Sequence, residues 1–323
     1  MKFLVIRFSS IGDIVLTTPV VRCLKQQVQH AEVHYLTKKN FAAILENNPY
    51  VDKVHIPDPD LGILIRKLTS EKFDAVIDLH NNIRSARVKL GISAPSHSFP
   101  KLNMEKWLMV RLGINRLPGI HIVDRYLSTV RPFGVTNDLK GLDYFIPAKN
   151  EVDISSMPFR KYTGIVIGAA HATKRLPVLS LVALAAKING PIVLLGGKED
   201  MEAGEQISAS DPARIFNACG KYNLDQSASL VKQARAIVSH DTGLMHIAAA
   251  FHKPIVSVWG NTIPGFGMYP YLDPGEFSRM SEVNGLACRP CSKIGYDKCP
   301  KGHFKCMAGQ DLDKIAEAVN GIE

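Results

Sequence analysis

The chain contains no run of about 18 uncharged apolar residues, so no segment is expected to span a bilayer as a helix. Its opening, MKFLVIRFSS, sets a short apolar run between Lys2 and Arg7, too brief for an export signal. The protein is therefore expected to stay in the cytoplasm. Low-complexity tracts and short-period repeats are also missing, which leaves a chain that should be globular throughout. Cysteine is sparse: six in 323 residues. With no export signal, that count argues for reduced thiols and against a disulfide framework. The loop after the first apolar run lacks G-x-G-x-x-G and G-x-x-x-x-G-K-[ST], which excludes a dinucleotide fingerprint and a P-loop there.

What is present is length, apolar content and positive charge. Hydrophobic residues make up 46% and charged residues 21%, enough over 323 residues for two domains of ordinary size. The net charge of +9 points to an anionic partner: a nucleotide, nucleic acid or an acidic membrane surface. The cations are spread out, with no Arg-rich run, which argues against nucleic acid. Short apolar runs at 2–8, 32–36, 53–56 and 74–79 alternate with helical patterns at 14–28, 40–47 and about 60–70. Further helical patterns at 103–112 and 121–132 close this half. After the polar, proline-containing stretch PAKNEVDISSMPFRKYTG the alternation restarts, with strands at 164–168, 191–195, 235–239 and 254–259. Fully apolar strands separated by helices mean parallel sheets covered on both faces. The expected fold is α/β: two doubly wound, Rossmann-like domains, 1–152 and 153–323, facing each other across a cleft. A final helix is expected over about 311–322.

Such sheets bind ligands at the carboxyl ends of their strands, so the loops there carry the chemistry. After the first strand comes SSIGD. Asp13 reads either as an acid favoured by the dipole at a helix start or as a general base facing the cleft. In SHDTGLMHIAAAFH, Asp241, Thr242 and Gly243 open an Ala-rich helix, where free N–H groups and a glycine suit an anion. Asp241 is expected to cap this helix, and His246 follows one turn on, on the face of Gly243. Upstream, GAAHATKRLP places Lys174 and Arg175 just before Pro177, where two cations suit a diphosphate or make a solvated turn. In LLGGKED, Glu199 reads as a ribose-binding acid or a first-turn helix acid.

Together these segments resemble the glycosyltransferase family that contains the lipopolysaccharide heptosyltransferases, family 9. IRFSSIGDIVLTTPVVRCLK and VSHDTGLMHIAAAFHKPIVSVWGNTIP carry most of the resemblance. TKRLP, LGGKED and a late CxPC…C…GHxxCM segment support it. The resemblance implies a GT-B fold and an inverting, metal-independent transfer of heptose from ADP-L-glycero-D-manno-heptose to the lipopolysaccharide inner core. No cofactor is implied. The enzyme would sit peripherally on the cytoplasmic face of the inner membrane, with a lipid-linked saccharide as acceptor. Asp13 would be the base and Lys174 the cation at the donor diphosphate. Thr173, Arg175, Glu199, Asp241, Thr242, Gly243, Leu244 and His246 would hold the donor. In DLHNNIRSARVKLG, His80, Asn81, Arg84 and Arg87 read as a solvated helix face or, lying at and after a strand's carboxyl end, as an acceptor site for a phosphorylated or carboxylated lipid-linked sugar, together with Ser10 and Gly12. Alternatives are the same fold acting on another nucleotide sugar in surface-polysaccharide assembly, or a nucleotide-sugar epimerase. The basic face at 84–89 tells against the epimerase, which needs no acceptor site.

Three further motifs remain. DPD at 58–60 has the form of a metal-binding D-x-D, but Pro59 makes it a turn. Cys288, Cys291, Cys299 and Cys306, with His303 among them, read as a structural zinc site or as reduced thiols kept for packing. KLNMEKWLMVRLG carries Trp107 among apolar residues and cations, and rests on a membrane surface or packs inward.

Overall fold

The computed structural model describes residues 1–322. Contacts divide the chain into two units: Met1–Lys101 with Ile120–Phe145, and Leu102–Gly119 with residue 146 to the C-terminal end. The units are thus not contiguous in sequence. Residues 102–119, expected in the first domain, group with the second.

The first unit is a five-stranded sheet of β1 (Lys2–Ile6), β2 (Glu32–Leu36), β3 (Lys53–His55), β4 (Ala75–Asp78) and β5 (Ser96–Ser98). Its order is β3-β2-β1-β4-β5 and every neighbouring pair is parallel. From β1 the chain builds outward through β2 and β3, then returns to the other side of β1 as β4. Ile6 pairs with both Leu36 and Asp78, so β1 and β4 end level and their following loops emerge side by side. This is the topological switch point, where the crevice of an open parallel sheet lies. The apolar runs form strands here because both faces are covered: Phe3, Leu4, Val5 and Ile6 are all fully buried.

The second unit has six parallel strands: β6 (Thr163–Val166), β7 (Ile192–Leu195), β8 (Ile215–Asn217), β9 (Ala236–His240), β10 (Ile255–Trp259) and β11 (Ser278–Glu282). They lie in the order β11-β10-β9-β6-β7-β8. The order matches the nucleotide-binding arrangement, with its switch point between β6 and β9. Val166 pairs with Ser239 there, so the loops carrying Lys174 and Asp241 leave from adjacent strands. The last helix is Leu312–Asn320; residue 323 lies outside the described residues.

The helix expected over 14–28 is two helices, Ile11–Val15 and Thr18–Gln27. Pro19 sits in the first turn of the second and has no N–H to continue the ladder. The Thr17 and Thr18 hydroxyls instead donate to the Ile14 and Val15 carbonyls, closing the first helix.

Candidate active site

In the first unit, Asp13 lies in the turn that follows β1, with its side chain 18% exposed. One carboxylate oxygen pairs with Arg7 at 2.7 Å. The other accepts from the Ser10 N–H at 3.2 Å and the Ser10 hydroxyl at 2.8 Å. Burial pushes the Asp13 carboxyl up, but the Arg7 charge and the Ser10 donors outweigh it and hold it below the ordinary carboxylate range. Arg7 is itself buried. Its guanidinium donates to the Ser9 and Leu79 carbonyls, each at 2.7 Å, and to the Tyr126 hydroxyl at 3.0 Å. A single cation thereby ties the loop after β1 to the end of β4 and fixes the acid at the switch point.

The loop after β4 is organised by Asp78, which is fully buried. It accepts from the N–H groups of His80 (3.0 Å) and Asn81 (2.7 Å), from the Ser85 hydroxyl (2.8 Å) and from Lys89 (2.9 Å). His80 packs edge-on against Phe8, and Arg84 lies 5.7 Å from the same ring. Burial, with Arg7 and Lys101 nearby, lowers the His80 pKa to about 4, so its imidazole is neutral at pH 7. Its Nδ1 is buried with no partner. Asp13, Ser10, His80 and Arg84 therefore gather around Arg7 and Phe8. The Asn81 amide is committed to the Phe99 carbonyl at 3.1 Å. Arg87 lies further along the helix Ile83–Ile92, and Gly12 is buried within the Asp13 turn. Arg7 and Asp78 escaped the sequence reading because each sits within or beside an apolar strand, where a charge looks incidental.

In the second unit the decisive pair is Lys174–Asp241, Nζ to Oδ2 at 2.6 Å, the two side chains 15% and 12% exposed. The same carboxylate oxygen accepts from the Thr262 hydroxyl at 3.0 Å. The expectation that Asp241 caps the helix Gly243–Ala250 is not met: Thr242 is the N-cap residue, and no side chain caps this end. The physical reason is competition, since Lys174 and Thr262 already hold the carboxylate. The first-turn N–H groups are left to a ligand or to water. Leu244 is half-buried and His246 buried on this helix.

The other residues expected at the donor divide into ties and exposed groups. Thr173 is buried, and its hydroxyl accepts from the Tyr296 N–H at 2.8 Å and donates to the Tyr296 carbonyl at 3.1 Å. Arg175 donates to the Ala169 carbonyl and to Asp200 at 3.0 Å. Asp200, buried, also accepts from the Gly197 N–H at 2.9 Å. Its carboxylate presses so close to Gly168 that any side chain there would clash with Oδ2. Arg175 and Asp200 thus tie together the loops that follow β6 and β7, while Glu199 stays exposed over Gly197. Asn261, next to Thr262, is buried with both amide atoms unpartnered. Asn261 and Thr262 lie within the segment that carries the family resemblance, but neither is singled out there as a site residue.

Among the described residues, no set of three metal donors emerges from the expected positions. The four late cysteines are free thiols. Among the described residues, the sets of three donor atoms within 4.8 Å of one another are His34/His55/Glu71 and His252/Asp273/Glu276. The cysteines form no such set, but Cys288 Sγ lies 3.7 Å from His303 Nε2, and Cys291 and Cys306 each lie near Cys288 and Cys299, so both readings of this segment stand. In the first of those sets both Glu71 oxygens already rest on Lys2 and Lys53. DPD is a helix start: Asp60 accepts from the Gly62 and Ile63 N–H groups, and Asp58 pairs with Lys67. Asp60→Ala should therefore cost about 1 kcal/mol of stability, read as a lower denaturant midpoint, with turnover unchanged.

Residues 62–293 match the model of glycosyltransferase family 9 (heptosyltransferase). The chain belongs to that family. Lipopolysaccharide heptosyltransferase 2 of Escherichia coli K12 is 27% identical to this family-9 glycosyltransferase over 298 residues, covering 82% of this chain and 84% of that protein. A family-9 glycosyl transferase from Veillonella parvula superposes with a TM-score of 0.78 at 23% identity, covering 99% of this chain and 96% of that one. The E. coli ADP-heptose lipopolysaccharide heptosyltransferase II gives 0.69 at 23% identity, covering 94% and 97%. The fold of the family-9 chain is therefore GT-B, as the resemblance implies, built on the two Rossmann-like sheets that the alternation of its elements implies.

Proposed function

We propose that this glycosyltransferase moves a heptose from ADP-L-glycero-D-manno-heptose onto the inner core of lipopolysaccharide, with inversion, on a lipid-linked acceptor at the cytoplasmic face of the inner membrane. The observation that carries the reading is the complementary chemistry at the two switch points. The first unit offers an acid held ionised, Asp13. The second offers a cation, Lys174, beside a helix start that no side chain caps.

In the reaction the acceptor hydroxyl oxygen attacks the anomeric carbon from the face opposite the diphosphate. The new C–O bond forms as the bond to the diphosphate breaks; the hydroxyl proton goes to Asp13, and ADP leaves with the electron pair. Asp13 holds the hydroxyl through the oxygen now taken by Ser10, because that hydroxyl can rotate away while Arg7 keeps the other oxygen fixed. His80 and Arg84, with Ser10 and Arg87, line the acceptor side. Lys174 and the N–H groups at Thr242–Gly243 meet the charge that grows on the leaving diphosphate. Asp241 orients Lys174, and Glu199 is the exposed acid available to ribose hydroxyls. Thr173 and Arg175 act by shaping the loop that presents Lys174. The name of the E. coli relative supports lipopolysaccharide heptose transfer as the activity.

Two measurements test this. In a thermal-shift panel of ADP-, UDP-, GDP- and CDP-sugars, ADP-heptose should raise the melting temperature most, since a ligand stabilises by RT ln(1 + [L]/Kd). A UDP- or GDP-sugar giving the largest shift refutes the donor assignment. Turnover should survive EDTA, because fixed protein charge stands where a divalent ion would act. Activity lost on chelation, with circular dichroism unchanged, and regained with Mg²⁺ or Mn²⁺ refutes the metal-free mechanism.

A further inference from the structure

The helix Asn103–Leu112 breaks a rule that the other ten-residue helices of this chain obey. Six of its ten residues are apolar (Met104, Trp107, Leu108, Met109, Val110 and Leu112), yet none of the ten is buried. Met104 is 68% exposed, Trp107 48% and Leu112 58%; beyond the helix, Ile114 is 43% exposed. A helix in a globular protein turns its apolar stripe inward. Here Met104, Trp107 and Arg111, spaced i, i+3, i+7 on one face, are all exposed, while Lys106 on the opposite side lies over the Phe266 ring. Scattered exposed leucines need no account, but a contiguous apolar face does.

The charges on this segment indicate what covers it. Arg111 and Arg116 are exposed and form no ion pair among the described residues, whereas the one acid of the stretch, Glu105, is half-buried. Exposed apolar side chains interleaved with unpaired arginines suit an anionic lipid surface. The indole settles at the level of the headgroups, and the arginines reach the phosphates. No helix among the described residues is long and apolar enough to cross a membrane, so attachment of this kind would be from one side.

We propose that residues 103–116 are the surface by which this protein docks on an anionic bilayer. The inference rests on the lipid-linked acceptor proposed above and names the segment that brings the enzyme to it.

The protein carries its own probe. Of its two tryptophans, Trp259 is 1% exposed, so a change in emission on adding vesicles reports Trp107. The full chain should show a blue shift and co-sediment with phosphatidylglycerol–phosphatidylethanolamine vesicles. It should do neither with phosphatidylcholine vesicles, and the binding should weaken as salt rises. Trp107→Ala and the double change Arg111→Glu with Arg116→Glu should each reduce co-sedimentation about tenfold or more. Both variants should keep their circular dichroism and their rate on a soluble, delipidated acceptor saccharide. No blue shift at low salt, or binding undiminished in both variants, overturns the proposal. So does a dimer in sedimentation that Trp107→Ala abolishes, since a second copy would then cover the face. The sugar-nucleotide panel and the rate on soluble acceptor do not involve this segment, so failure here is distinguishable from failure of the transfer reading.

Discussion

Asp13→Asn should lower turnover by about two to four orders of magnitude while leaving the affinity for the donor nearly unchanged. The amide keeps the shape and the contacts of one oxygen but cannot take the acceptor's proton. Because Arg7 loses its counter-ion, the variant should also be less stable. The cost is about 1–3 kcal/mol, below that of a fully buried pair, since Asp13 keeps some access to water. The sign of the pH dependence follows from the lowered Asp13 pKa. A carboxyl whose folded pKa lies below its unfolded value contributes stability above the unfolded pKa, about 3.9, and loses it as pH falls through the folded one. Wild type should therefore shed stability relative to Asp13→Asn only below about pH 4. Arg7→Met should raise the Asp13 pKa and move the acid limb of kcat/KM upward. Wild-type rates of nucleotide release from Asp13→Asn, with acceptor present, rule out Asp13 as the base.

Much of the fold was legible because its strands are buried on both faces. A short continuous run such as FLVI or IVLL, bounded by polar or turn residues and alternating with helical patterns, reads as a central parallel strand. The strands that escaped notice are β5 (SHS), β8 (IFN) and β11 (SRMSE), each at the edge of its sheet. β5 and β8 are short, and β5 and β11 are polar because one side faces water, so they lack the pattern that marks the interior ones. The site shows the same division. Asp13, Lys174 and Asp241 stand out in the sequence as charges in loops after apolar strands, and the family resemblance supplies the roles proposed for them. Their partners were not: Arg7 sits inside an apolar run, and Thr262 lies 21 residues from Asp241. Asp200 and Glu199 are adjacent acids that sequence cannot rank. The structure separates them by burial, since Asp200 closes a loop with Arg175 while Glu199 stays open. The late cysteines behave differently: their spacing suits a metal and the structure brings Cys288, Cys291, Cys299 and Cys306 near one another, yet no three of their donor atoms lie within 4.8 Å.

The second large effect is expected at Lys174. Lys174→Ala removes the cation proposed to meet the leaving diphosphate and also strips Asp241 of its counter-ion, leaving a largely buried carboxylate with one hydrogen bond, from Thr262. That carboxylate then stands beside the path of an anionic ligand. Donor binding should weaken about 10- to 100-fold through the loss of attraction and the exposed like charge. Turnover should fall a further 10²- to 10³-fold, because charge on the diphosphate grows in the transition state and fixed positive potential matters most there. The double variant Lys174→Ala with Asp241→Asn separates the two causes. If repulsion from the bared Asp241 contributes, the second change should restore part of the donor affinity and little of the rate, a coupling that a double-mutant cycle reads directly. Donor affinity by calorimetry and single-turnover rates at saturating donor make the comparison. An effect confined to the KM of the acceptor would place Lys174 with the other substrate, and the helix start at Thr242–Gly243 would then have to meet the leaving group alone.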